Sequence, residues 1–194
     1  MSRPAAAASP PLVLVGLMGA GKSTVGWRLA TLSGRAFVDL DEEIVRAAGR
    51  RTDELFVQLG EAGFRSLEVE ATRDLAASRG QPGDDAPGLI VAAGGGWMSN
   101  PEARAALPEA KTVWLKVGPA EAARRLSLDD ATRPLLDGYD PARRLEDLLA
   151  ERLPAYGEAT YTVDTAGRSA EEVARAVAAT AGLALEIHES KREG

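Results

Sequence analysis

Five short apolar runs along the chain alternate with segments in which apolar residues recur at helical spacing. The runs predict buried strands at residues 12–15, 36–41, 89–93, 111–117 and 160–164. Apolar positions that share one helical face, such as Val25 and Leu29, predict helices between these strands. Strands that alternate with helices usually form a parallel sheet covered on both faces. The pattern therefore predicts an α/β fold with a five-stranded parallel sheet between two helical layers.

Polar residues mark the starts of several predicted helices. Thr52 is a candidate helix cap, and Ser169 followed by Glu172 has the spacing of a capping box. Residues 126–140 behave differently, because they hold few large apolar side chains but include Arg133 and Gly138. Such a segment is typical of a surface loop that folds over a ligand, so we expect a mobile lid there.

The first predicted strand runs directly into a glycine-rich loop with the pattern GxxxxGKS, from Gly16 to Ser23. Glycines allow the backbone of this loop to curl with its N–H groups inward, where a side chain would block phosphate oxygens. A lysine supplies charge to the β- and γ-phosphates, and a serine hydroxyl is a hard ligand suited to Mg²⁺. Because the required strand and helix flank the loop, the sequence predicts an ATP-binding loop. Its expected ATP contacts are Gly19, Ala20, Gly21, Lys22, Ser23 and Thr24.

Two carboxylates, Asp39 and Asp41, end the second predicted strand. In an extended chain, side chains two residues apart share a face, so one carboxylate can serve a metal and the other a substrate. Asp41 could instead simply cap the helix that begins at Glu42. The nearby phosphate loop favours the functional interpretation.

Composition narrows the chemistry available to the chain. The net charge of −6 argues against a nucleic-acid partner, and no apolar run approaches the ~20 residues needed to cross a bilayer. The absence of cysteine excludes thiol nucleophiles, and the single histidine, His188, excludes a Ser/His/Asp triad. Catalysis must therefore rest on carboxylates, lysine, arginine and a metal ion. Arg65, Arg133 and Arg152 are candidates, although each taken singly is more often a surface side chain.

Six motifs, in order, resemble those of the shikimate kinase family of small P-loop kinases. They are GLMGAGKST at 16–24, FVDLD at 37–41, GEAGFRSLE at 60–68, GGG at 94–96, RPLL at 133–136 and RLPAY at 152–156. The resemblance extends from about residue 12 to residue 183. It implies ATP-dependent phosphorylation of the 3-hydroxyl of shikimate, in chorismate and aromatic amino-acid biosynthesis, and a P-loop NTPase-type sheet of strand order 2-3-1-4-5.

The resemblance also implies roles for individual residues. Lys22 and Ser23 would hold the phosphates and Mg²⁺, with Asp39 reaching the ion through water, and Asp41 would be the base. The substrate carboxylate would be bound by Arg65, Arg152 and the backbone of Gly95. Arg133 would be the lid arginine on the transferred phosphate. Arg125 and Arg168 would flank the adenine.

We expect a cytoplasmic monomer whose partners are ATP and shikimate, without nucleic acid or membrane. We expect a disordered tail at residues 1–10, one kinase domain at 11–184 with its lid at about 126–140, and a flexible tail at 185–194. A gluconate-type kinase or a non-catalytic binding module remain alternatives.

Three features depart from the family pattern. Trp97 is bulky for a position beside the expected substrate pocket, and Thr52 stands where a larger apolar residue is usual. The segment between Arg125 and Arg133 is about one residue longer than in some members, which weakens the adenine assignment. Trp97 leaves the choice of substrate open.

Overall fold

A five-stranded parallel sheet forms the centre of the protein in this computed structural model, which describes residues 9–79, 88–128 and 133–186. The strands are β1 (Leu12–Val15), β2 (Ala36–Asp39), β3 (Leu89–Ala92), β4 (Lys111–Lys116) and β5 (Tyr161–Asp164). Their order is β2-β3-β1-β4-β5, and every neighbouring pair is parallel. The predicted fold class and strand order are confirmed.

Seven α-helices connect and flank the described strands. They are α1 (Lys22–Ser33), α2 (Leu40–Ala48), α3 (Thr52–Ser78), α4 (Pro101–Ala106), α5 (Pro119–Leu126), α6 (Pro141–Gly157) and α7 (Ala170–Ala181). Short 3-10 helices lie at Trp97–Ser99 and Pro134–Leu136. Helix α3 is interrupted at Gly60, whose φ of 67° is not helical.

The hydrophobic core is centred on β1 and β3, whose residues are all buried. Strands buried on both faces need an uninterrupted apolar run, which is what LVLV and LIVA supply. Helix α1 packs against α7, and α5 packs against α6. A separate small cluster of Ile44, Leu55 and Phe64 joins α2 to the first half of α3. The loops at the carboxyl ends of β1, β2 and β3 therefore meet on a rigid frame.

Most predicted helix starts are confirmed, with two corrections in detail. The Ser169–Glu172 capping box forms, because the Ser169 hydroxyl accepts from the Glu172 N–H and the Glu172 carboxylate accepts from the Ser169 N–H. Thr52 is the first residue of α3 and not its cap, which is Arg51. The second strand ends at Asp39 and does not reach Asp41, which lies in α2.

Some predictions fall on residues outside the described ranges. These are most of the tail predicted at 1–10, residues 129–132 of the predicted lid, and most of the tail predicted at 185–194. Within the described part, Arg79 donates to the Ser9 carbonyl at 3.1 Å and the Glu186 N–H donates to the Leu32 carbonyl at 2.7 Å. The domain bounds remain predictions. In the described ranges no helix has both the length and the apolar character needed to span a membrane.

Candidate active site

The phosphate loop connects β1 to α1 and has the backbone that its glycines predict. Gly19 and Gly21 have φ angles of 80° and 87°, a region that residues with a Cβ rarely adopt. A Cβ at Gly19 would also lie 2.7 Å from the Ala122 carbonyl oxygen of α5. Gly21 caps α1, so the loop ends at a helix N-terminus, where backbone N–H groups and the helix dipole favour phosphate.

Lys22, the first residue of α1, lies over this loop. Its Nζ donates to the carbonyl oxygens of Gly16 at 3.1 Å and Leu17 at 3.0 Å. Burial lowers the pKa of Lys22 from 10.5 to about 8, although the carboxylates of Asp41 and Asp39 act in the opposite direction. The ammonium is thus desolvated, which strengthens its interaction with a bound phosphate.

Ser23 and Asp39, the two residues of the predicted metal site, are in direct contact. The Ser23 hydroxyl donates to Asp39 Oδ2 at 2.5 Å. The other oxygen, Oδ1, accepts from the Asp41 N–H at 3.0 Å and the Glu42 N–H at 3.4 Å, which makes Asp39 the N-cap of α2. A hydroxyl and a carboxylate oxygen, fixed together beside a phosphate loop, are the hard ligands that Mg²⁺ prefers.

Asp41 shares the site with Asp39, but not by the geometry predicted from an extended strand. Because α2 begins at Leu40, Asp41 lies in its first turn. The alternative reading of Asp41 as a cap is also wrong, since the cap is Asp39. Burial raises the pKa of the Asp41 carboxyl, and Lys22 opposes this shift. Asp41 Oδ1 is buried and has no hydrogen-bond partner within the described residues.

Arg65 is held between two glutamates of its own helix. Its Nη1 donates to Glu68 Oε2 at 2.6 Å, and its Nη2 donates to Glu61 Oε1 at 2.8 Å. Glu68 is fully buried, and burial raises the pKa of its carboxyl against the effect of Arg65. Glu61 is about half exposed, with a side-chain exposure of 51 %. Arg65 therefore has a fixed orientation and a partly neutralised charge.

Each of the three glycines after β3 faces a different charged side chain. A Cβ on Gly94 would overlap Glu68 Oε1 and lie 3.1 Å from Asp41 Oδ1. A Cβ on Gly95 would lie 2.9 Å from Arg152 Nη1, and one on Gly96 would overlap the guanidinium of Arg65. The loop thus brings backbone close to Asp41, Arg65 and Arg152, which the sequence proposed, and to Glu68, which it did not.

Arg152 lies in α6, and its side chain is almost completely buried at 3 % exposure. Its Nη1 has no hydrogen-bond partner among the described residues, although burying an unpaired cationic donor is costly. One helical turn later, the hydroxyl of buried Tyr156 donates to the Gly95 carbonyl at 2.6 Å. Helix α6 therefore supplies both an available donor and a support for the glycine loop.

Gly96→Ala should displace Arg65 without unfolding the chain, because the overlap involves the far end of a flexible side chain. We expect the KM for the substrate that Arg65 is predicted to contact to rise roughly tenfold or more, since a displacement of about 1 Å can cost up to 10²-fold. The KM for ATP should not change. Steady-state kinetics beside Gly157→Ala, where a Cβ meets nothing within 4 Å, provide the matched control. Equal kinetics for the two variants would contradict this placement of Arg65.

One cavity of about 520 Å³ unites these groups. Its walls include the phosphate loop with Lys22 and Ser23, the carboxylates of Asp39, Asp41 and Glu68, the glycines 94–96, and Arg65, Arg125, Arg133 and Arg152. The three buried polar atoms described above, Asp41 Oδ1, Glu68 Oε1 and Arg152 Nη1, belong to residues of this lining. Arg133 is close enough to lower the pKa values of both Lys22 and Asp41. The cavity thus offers phosphate contacts at one end, and an acceptor carboxylate and an arginine donor for a second ligand.

The predicted adenine residues line a neighbouring cavity of about 330 Å³, which also includes Gly21 and Thr24. Arg125 donates to the Thr165 carbonyl at 2.8 Å and to the Gly19 carbonyl at 3.4 Å, so it ties the phosphate loop to the segment after β5. Arg168 donates to the carbonyls of Asp164 and Glu172, both at 3.2 Å. Their contact with adenine remains a prediction.

Trp97 does not narrow the expected substrate pocket, contrary to the prediction from its size. Its side chain is 1 % exposed, and its Nε1 donates to Thr72 Oγ1 at 3.1 Å. It points into the protein and is absent from the lining of the substrate cavity. Thr52 does line that cavity, together with Phe56 and Phe64, whose rings stack at 4.4 Å.

Sequence reasoning missed Glu68, Tyr156 and Thr165 as residues of the site. Glu68 could have been identified, since it lies one helical turn after Arg65 within a quoted motif, and Tyr156 has the same relation to Arg152. Thr165, which accepts from Arg125 Nη1 at 3.2 Å, gave no comparable signal.

Comparison with known proteins identifies the relatives of this chain. The family model described as shikimate kinase matches residues 18–181. The shikimate kinase of Thermobifida fusca is 45% identical over 170 residues, which cover 87% of this chain and 93% of that protein. The structure of shikimate kinase from Acinetobacter baumannii in complex with shikimate is 36% identical, has a TM-score of 0.77, and covers 87% of this chain and 90% of that one.

Likeness to other small kinases extends to the fold alone. A gluconokinase from Sinorhizobium meliloti is 20% identical, with a TM-score of 0.56, and covers 86% of this chain and 88% of that one.

Proposed function

The chain belongs to the shikimate kinase family, whose members phosphorylate a hydroxyl of shikimate with ATP, and we propose that this protein transfers the γ-phosphate to the 3-hydroxyl. One observation carries the proposal: a single cavity holds the phosphate loop, a buried carboxylate oxygen and a buried arginine donor, and both polar atoms are without partners in the described residues. Shikimate carries hydroxyls and a carboxylate, which match these two atoms.

The phosphate loop and Lys22 bind the β- and γ-phosphates of ATP in this proposal. The loop contributes backbone N–H groups at the start of α1, and Lys22 contributes a desolvated charge. Phosphoryl transfer needs mainly alignment and neutralisation of charge on the moving group. Arg133, at the edge of the same cavity, supplies a second cation as the lid segment closes.

The divalent ion is Mg²⁺ in this proposal, held by the Ser23 hydroxyl, with Asp39 reaching it through a bound water. The contact between these two oxygens, and the capping bonds that fix Asp39, fit such a site. A divalent ion held there would supply positive charge that offsets part of the negative charge of the ATP phosphates.

Asp41 accepts the proton of the attacking hydroxyl. Asp41 lines the same cavity as the phosphate loop and the glycine loop, and its Oδ1 has no partner among the described residues. Lys22 favours the ionised form that a base requires. The proton leaves the oxygen of shikimate as that oxygen bonds to the γ-phosphorus, and ADP departs. Asp39 is less suited to this role, because its oxygens already accept from Ser23 and from two backbone N–H groups.

Arg152 and Arg65 bind the carboxylate of shikimate, with a backbone contact from Gly95. Planar guanidinium groups can donate parallel hydrogen bonds to a carboxylate. Arg152 is the stronger anchor, because Arg65 already donates to Glu68 and Glu61. We therefore expect loss of Arg152 to weaken shikimate binding more than loss of Arg65.

Asp39→Asn should raise the Mg²⁺ concentration needed for half-maximal rate roughly tenfold, a typical effect for a residue that acts through a metal-bound water. The fold should persist, because an asparagine oxygen can still cap α2. A magnesium titration of the initial rate measures this effect, with Asp147→Asn on the exposed face of α6 as control. Restoration of Asp41→Asn by excess Mg²⁺, without restoration of Asp39→Asn, would reverse the roles of the two carboxylates.

A coupled assay of ADP release with shikimate, quinate and gluconate tests the proposed function. We expect turnover with shikimate far above that with the other two acids. Preference for gluconate would identify a gluconate-type kinase, and absence of turnover with tight shikimate binding would identify a binding module. We further propose a cytoplasmic monomer, which light scattering of the purified chain tests in part.

A further inference from the structure

Trp97, Thr72 and Glu68 form a buried chain of hydrogen bonds behind the site. Trp97 Nε1 donates to Thr72 Oγ1 at 3.1 Å, and the Thr72 hydroxyl donates to the Glu68 carbonyl at 2.6 Å. The exposures of the three residues are 1 %, 0 % and 0 %. Buried donors and acceptors of this kind are costly to leave unpaired, so these three residues favour the one geometry in which both hydrogen bonds form.

Thr72 lies on the face of α3 that carries the site. Arg65, Glu68 and Thr72 are three and then four residues apart, and such residues share one face of a helix. The glycine loop lies opposite this face, with Gly94 against Glu68 and Gly96 against Arg65. Any shift between α3 and the loop would therefore move Arg65 relative to the backbone of Gly95.

Trp97 closes the same glycine loop. Its backbone N–H donates to the Gly94 carbonyl at 3.1 Å, so residues 94–97 form a turn. Its indole N–H donates to the Thr72 hydroxyl on α3. One residue thus fixes both the shape of the turn and its distance from the helix that carries Arg65.

We propose that the Trp97–Thr72 hydrogen bond positions Arg65 and the glycine loop for the carboxylate of the substrate. Neither residue touches shikimate, so both are positioning residues and not catalytic ones. The inference rests on the proposed function, because it assigns them to the carboxylate end of that same site. Among the described residues no hydrogen bond joins the phosphate loop to Trp97, Thr72 or Glu68, so binding of ATP should not depend on these three residues.

Two substitutions of Thr72 separate positioning from packing. Thr72→Val keeps the shape of the side chain but leaves the indole N–H without its acceptor, and Thr72→Ser keeps the hydroxyl. We expect the KM for shikimate to rise about tenfold in Thr72→Val, because the hydrogen bond that fixes the glycine loop to α3 is lost, and to stay within about twofold in Thr72→Ser. The kcat and the KM for ATP should change less than about twofold in both variants.

Trp97→Phe removes the donor of this hydrogen bond, whereas Thr72→Val removes its acceptor. We expect the same rise in the KM for shikimate in both variants. The double variant should show the same loss, about tenfold and not about a hundredfold, because both changes break one bond. Thr31→Val is the matched control, since Thr31 makes the same hydroxyl bond to the carbonyl four residues earlier, but on the exposed side of α1. It should leave all kinetic constants unchanged.

The unmutated chain is assayed first, so that failure of the proposed function can be distinguished from failure of the proposed role of the Trp97–Thr72 hydrogen bond. Absence of shikimate turnover there would refute the proposed function. If turnover is present, a lowered Tm in Thr72→Val with an unchanged KM for shikimate would overturn the inference alone. Equal rises in both KM values, or failure of both Thr72→Val and Trp97→Phe to fold, would also overturn it, because the bond would then be purely structural.

Discussion

Lys22→Met should reduce phosphoryl transfer by about 10³-fold, because the lysine acts on charge at the phosphates that no other group in the loop can neutralise. The fold should survive. The shape of the loop depends on the positive φ angles of Gly19 and Gly21, and the desolvated ammonium of Lys22 is replaced by an apolar side chain of similar length. We therefore expect the Tm to be unchanged or raised.

Single-turnover rates and thermal unfolding of the same preparations measure the two effects. Lys111→Met is the matched control, because Lys111 is exposed at the start of β4. Transfer at a near-normal rate in Lys22→Met, with matched thermal stability, would remove Lys22 from the mechanism.

Asp41→Asn should lower kcat by about 10²- to 10³-fold, within the range that general base catalysis contributes. Asparagine preserves the size of the side chain and cannot accept the proton. The KM for shikimate should also rise, because Asp41 Oδ1 is the acceptor we assign to its hydroxyl. The KM for ATP should change little.

The comparison with Asp74→Asn, an exposed residue of α3, controls for loss of a carboxylate. Isothermal titration with shikimate separates binding from chemistry. If Asp41→Asn bound shikimate normally and turned over within about threefold of the unmutated rate, another base would have to be found.

The sequence predicted those parts of the site that depend on local pattern. The phosphate loop and its flanking elements follow from glycines at fixed spacing and from an uninterrupted apolar strand. The boundary at Asp39 was missed because its carboxylate accepts the N–H groups of Asp41 and Glu42 and so starts a helix, a local competition that apolar periodicity does not reveal.

Other features depend on partners distant in the sequence. The sequence predicts Trp97 beside the substrate pocket, but its indole N–H donates to Thr72, which is 25 residues earlier. Arg125 finds Thr165, which is 40 residues later. The ion pairs of Arg65 with Glu61 and Glu68 are local in sequence. That Arg152, and not Arg65, keeps an unpaired buried donor could be learned only from the structure.

In the proposed complex, shikimate binds with its carboxylate at Arg152 and its reacting hydroxyl at Asp41, within one cavity. The carboxamide analogue of shikimate and the variant Arg152→Ala together test the carboxylate end. Either change alone should cost ~2 to 5 kcal/mol in kcat/KM, the usual loss when one partner of a desolvated charged contact is removed. Arg152→Lys should also be impaired, because it keeps the charge without the planar fork.

The decisive measurement is kcat/KM for the analogue with Arg152→Ala, compared with each change alone. The structure predicts little further loss when the two are combined, because both remove the same contact. Fully additive losses would show that Arg152 does not contact the carboxylate, and the proposed orientation of the substrate would be wrong.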